Sequence, residues 1–66
     1  MSPHEIVVGR CYRLHIDGRL LVAKVLEIRN DHDGFVRWTL AGTYRRYART
    51  DELAKFASCA EAEVRC

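Results

Sequence analysis

Arg45, Tyr47 and Arg49 alternate along one predicted strand, so three side chains suited to phosphate contact and base stacking would share a face. Arg37 on a neighbouring strand and Arg46 on the opposite parity would widen that patch. Arginine suits such work because its planar fork meets phosphate or carboxylate with two parallel hydrogen bonds and also stacks on rings. The competing account is that these are edge-strand charges that keep sheets from pairing with one another.

The other reactive side chains are scattered. Cys11, Cys59 and Cys66 make an odd count, and His4, His15 and His32 share no C-x-x-C or H-x-x-x-H spacing with them. Neither a metal site nor a disulfide framework is expected. Cys11 and Cys59 fall in apolar surroundings, as small hydrophobes do, and Cys66 would meet another chain only through air oxidation. His15 falls on the outward parity of its strand and His32 in a polar turn. No Ser or Cys nucleophile has a readable base, no Gly-rich phosphate loop occurs and no carboxylate pair has a motif around it. The chain therefore reads as non-catalytic and without a cofactor.

The elements that would position these residues are short. Tyr12, Leu14 and Ile16 alternate with Cys11, Arg13 and His15, which predicts a first strand over 7–16. Asp17-Gly18 is a hairpin-turn dipeptide, and a second strand follows over 19–29. Its inward parity carries Leu21, Ala23 and Val25, then flips to Leu26 and Ile28, which requires a bulge or sharp bend near Val25-Leu26. The polar run 30–34 is a turn. A third strand over 35–40 points Val36, Trp38 and Leu40 inward, with Arg37 and Thr39 outward. A fourth, over 44–49, has no clean apolar face and suits a sheet edge. From Thr50 the period changes: Leu53, Phe56, Ala57, Ala60 and Val64 form a helical stripe, predicting a helix over 51–63 capped by Thr50 or Asp51.

Composition bounds the rest. The 66 residues suffice for a single domain, and 48% hydrophobic with 30% charged residues is ordinary globular usage. The net charge of +2 is unevenly spread: residues 1–49 hold nine Arg or Lys against five Asp or Glu, residues 50–66 two against four. No apolar run is long enough to span a membrane. The opening residues carry no export signal, so a cytoplasmic location is expected.

From Gly9 to Leu53 the sequence resembles the Tudor family of small, strongly bent barrels. The residues that carry the likeness are Gly9 with Tyr12 and Leu14, the Asp17-Gly18 turn, Val22-Ala23-Lys24-Val25, Gly34, Val36-Arg37-Trp38 and Leu53. The resemblance implies a mainly β fold: a small bent antiparallel barrel of four to five strands, here with a C-terminal α-helix. Leu21 stands where the family has a cage tyrosine, and Ala41-Gly42-Thr43 replaces its aromatic-glycine-asparagine turn, so the likeness extends to the barrel and not to methyl-mark reading.

Three functions follow as expectations. The first is a binding module acting through protein–protein interaction or self-association, with Leu20, Val22 and Phe35 forming an exposed apolar patch. The alternative is a nucleic-acid-binding barrel that uses Arg37, Arg45, Arg46, Tyr47 and Arg49. An oligomeric enzyme with a pore shared between subunits is the remote third.

Overall fold

The computed structural model describes residues 1–29, 34–42 and 48–66. The polypeptide opens with a 3₁₀ turn over Pro3–Glu5 and continues through strands β1 (Cys11–Ile16), β2 (Arg19–Arg29), β3 (Phe35–Leu40) and β4 (Arg49–Glu52). Helix α1 (Leu53–Cys59) and strand β5 (Ala60–Val64) follow. The strands form one antiparallel sheet in the order β4-β3-β2-β1-β5. The sheet is open rather than a closed barrel, with β4 and β5 at its two edges.

The hairpin between β1 and β2 turns on Asp17 and Gly18, both at positive φ (50° and 76°), the pairing that a two-residue hairpin loop needs. The β2–β3 register runs regularly to Val25↔Trp38 and resumes at Glu27↔Arg37, so Leu26 is the extra residue of a bulge. This is where the parity of the sequence flips. The bulge lets Ala23 and Val25 face the core before it and Ile28 lean toward the core after it.

The core lies on one face of the sheet. Tyr12, Leu14, Ala23, Val25, Val36 and Trp38 are fully buried there, under Leu53, Phe56 and Ala57 of α1. Phe56 sits between two rings, 6.2 Å from Tyr12 edge-on and 5.8 Å from Trp38. The Tyr12 hydroxyl accepts from the Val7 amide at 2.8 Å and donates to the Glu5 carbonyl at 3.2 Å, tying the first residues to β1. Leu40, expected inward, is 40% exposed, and its neighbour Thr39 is buried. Phe56 covers Trp38, and Leu40 is one inward position further along the strand.

Two expectations are corrected. The helix is Leu53–Cys59, and the last part of the expected 51–63 range is strand. Ala60-Glu61-Ala62-Glu63-Val64 also alternates with period two, and β1 supplies the partner that decides between the readings: Arg13 and Arg10 meet Glu61 and Glu63 at 3.2 and 3.0 Å. Thr50 and Asp51 lie in β4 and cap nothing. The residue before α1 is Glu52, whose side chain makes no capping bond.

The expected fourth strand, over 44–49, falls mostly outside the described residues, and the strand beside β3 is Arg49–Glu52.

The second correction concerns the cysteines. Cys11 and Cys66 form an intrachain disulfide, with Cα atoms 5.3 Å apart. The return of β5 along β1 sets Val64 opposite Cys11 and brings Cys66 within bonding distance. Cysteine usage thus no longer argues for a reducing compartment.

Candidate functional site

The strand registers sort the candidate residues onto two faces. Arg37 lies opposite Thr50, and Trp38 lies opposite Arg49. Successive residues of a strand point to opposite faces, so Arg37 and Arg49 are on opposite sides of the sheet and do not form one patch. Arg45, Arg46 and Tyr47 lie outside the described residues, as does His32.

Arg49 stands on the core side at the β4 edge. Its guanidinium lies 5.3 Å from the centre of the Trp38 ring, within cation–π range. Beneath it, Trp38 Nε1 donates to Oδ2 of Asp51 at 2.8 Å. The Arg49–Asp51 separation of 3.9 Å is an ion pair without a hydrogen bond. Trp38 itself is 1% exposed, so the ring serves as core wall, with the Arg49 guanidinium over it.

Arg37 stands on the outer face. Glu27, Arg29, Phe35 and Thr50 surround it and line an open groove of about 550 Å³. Arg29 is held by Glu27 at 3.2 Å. With Arg10, Arg13 and Arg49 also paired to Glu63, Glu61 and Asp51, most described arginines of the sheet already face a carboxylate. Arg37 makes no such pair among the described residues.

Leu20, Val22 and Phe35 are exposed by 63, 37 and 42%. They do not make the single patch expected of them. Leu20 and Val22 flank the β1 side of β2, opposite His15 and Arg13, whereas Phe35 lies opposite Arg29 at the other end of that strand. His15 is exposed on the outer face. Among the described residues no three His, Cys, Asp or Glu side chains converge.

The Trp38–Asp51 bond and the Arg49 placement were not readable from sequence spacing, because the strand that presents them begins where the local pattern suggests a helix cap. The chain's own geometry has to carry the functional reading: no family model, curated protein or solved structure matches it.

Proposed function

We propose that this chain is a small non-catalytic binding module that works through protein–protein contact, self-association included. The observation that carries the reading is the division of the surface: Arg10, Arg13, Arg29 and Arg49 face neighbouring carboxylates, while Leu20, Val22 and Phe35 remain open to solvent. Surface ion pairs of this kind add little to stability, but they cancel charge that a polyanion would need. Leu20 and Val22, two residues apart on β2 and so on one face, make an exposed apolar pair of the kind that protein partners cover. A Tudor-like descent of the fold is part of the same reading. A long β2 bent at its bulge and a last strand returning to β1 support it.

A second reading rests on one place. Phe35 and Arg37 sit together in the outer groove, an aromatic ring beside an uncommitted cation, which is the pairing that single-stranded nucleic acid uses. Light scattering across a concentration series, with binding of labelled single- and double-stranded oligonucleotides at low and physiological salt, separates the two. A mass above the monomer with no retained oligonucleotide supports the first reading. A monomer whose oligonucleotide binding falls steeply with salt overturns it in favour of the second.

A further inference from the structure

The β4 edge is short, polar and self-complementary. β4 pairs with β3 on one side, and among the described residues nothing pairs with its other side. Which backbone groups face that free side follows from the ladder. The Leu53 amide donates to the Gly34 carbonyl at 2.9 Å, so Leu53 points its hydrogen-bonding groups toward the β3 side. In an antiparallel ladder this alternates along the strand. Asp51 and Arg49 therefore also bond toward β3, and Thr50 and Glu52 direct their N–H and C=O groups outward.

A second copy can take up those groups in one register. Two identical antiparallel edges that keep each face of the sheet continuous must pair residues of equal parity about a two-fold axis normal to the sheet. With the axis at Thr50, the two Thr50 residues exchange both backbone hydrogen bonds. Glu52 bonds to the backbone of Ala48, and Arg49 lies opposite Asp51 of the second copy. Opposite charges and Thr–Thr neighbours are favourable cross-strand pairs. With the axis at Asp51, Thr50 would bond to Glu52 of the second copy, but two Asp51 carboxylates would oppose each other on the axis, which disfavours that register.

The side chains are ready for this exchange. Asp51 holds Trp38 Nε1 through Oδ2, which leaves Oδ1 for a guanidinium from outside, and its own Arg49 is too distant to hydrogen-bond it.

The other edge is built the opposite way. Self-pairing of β5 about Ala62 would set Glu61 against Glu63, and both are already engaged by Arg13 and Arg10. Like charges directly opposed are destabilising.

We infer that this protein forms a symmetric dimer by antiparallel β4–β4 pairing centred on Thr50, with reciprocal Arg49–Asp51 contacts across the axis. The inference rests on the protein-interaction reading above and names its partner as a second copy of the chain.

The test is light scattering on the full chain with the Cys11–Cys66 bond intact, over a wide concentration range. The wild type shows a reversible monomer–dimer equilibrium. Thr50→Pro removes only an outward amide, a position where an edge strand tolerates proline, and the variant is monomeric with an unchanged circular dichroism spectrum. Arg49→Glu, an exposed change whose fold is checked by the same spectrum, weakens the dimer by about tenfold or more through two like-charge contacts. Leu20→Asp, on β2 away from β4, leaves it intact. Folded Thr50→Pro and Arg49→Glu variants that dimerise like the wild type would overturn the β4 edge. If Leu20→Asp then abolishes the dimer, the interaction-module reading survives without it. A chain that is monomeric throughout and binds oligonucleotides overturns both.

Discussion

Trp38 and Asp51 are joined by a 2.8 Å hydrogen bond that fastens the edge strand β4 to the buried ring at the centre of β3. The indole N–H lies on an otherwise buried ring, and a buried donor without a partner costs far more than a made bond contributes. Asp51 is half-buried, so water can replace part of the lost contact. Asp51→Ala is expected to lower unfolding free energy by about 1–2 kcal/mol in urea titrations, and Asp51→Asn, which keeps an acceptor, by less. Equal losses for both variants would show that the bond contributes nothing specific.

The Cys11–Cys66 bond closes almost the whole chain into a loop, with a sequence separation of 55. Cross-links of this span typically stabilise by about 2–4 kcal/mol, chiefly by restricting the unfolded chain. Cys66→Ser should show a loss of that order in denaturant titrations. It should also speed hydrogen exchange most in β5, the strand that the bond holds beside β1. Cys59→Ser should leave the bond intact by mass spectrometry, since Cys59 is the free thiol. A Cys66→Ser protein as stable as the wild type would show that the β1–β5 ladder suffices without the cross-link.

Phe56 is the single α1 ring in contact with both Tyr12 and Trp38. Phe56→Ala leaves a cavity between two other rings and is expected to cost about 3–5 kcal/mol, enough to unfold much of a chain this small. Phe56→Leu keeps most of the volume and should cost less than about 1.5 kcal/mol while still shifting Trp38 fluorescence. An unperturbed emission spectrum in the leucine variant would argue against the ring contact.

Glu5 accepts the Ser2 amide at 2.9 Å, and that bond holds its carboxyl below the ordinary carboxylate range. A lowered folded-state pKa means that its stabilisation is present above the unfolded pKa and is lost as pH falls through the folded one. The side chain is fully exposed, so the effect on unfolding should be small. The direct check is the carboxyl chemical shift of Glu5 followed by NMR. A midpoint at or above that of an unstructured glutamate would contradict the bond.

Local spacing carried the first half of the fold. The alternation through Tyr12, Leu14 and Ile16, the Asp17-Gly18 turn and the parity flip after Val25 are short-range patterns, and each has its counterpart in the structure. At Leu40 the same alternation overstated the burial, because cover from α1 is a property of the fold and not of the strand. Arg37 and Arg49 show the same limit at the candidate site: which face each takes depends on where β4 begins.

The amino-acid sequence by itself determined the antiparallel β1–β2–β3 meander, its tight turn, its bulge and the apolar stripe of Leu53, Phe56 and Ala57. Tertiary structure alone decided that Ala60–Val64 is a strand, that Cys11 meets Cys66, and that Arg49–Glu52 is an edge strand among the described residues. The reason is physical. An Ala-Glu alternation suits a helix nearly as well as a strand, and only the ladder to β1, with its Arg–Glu pairs, tips the balance.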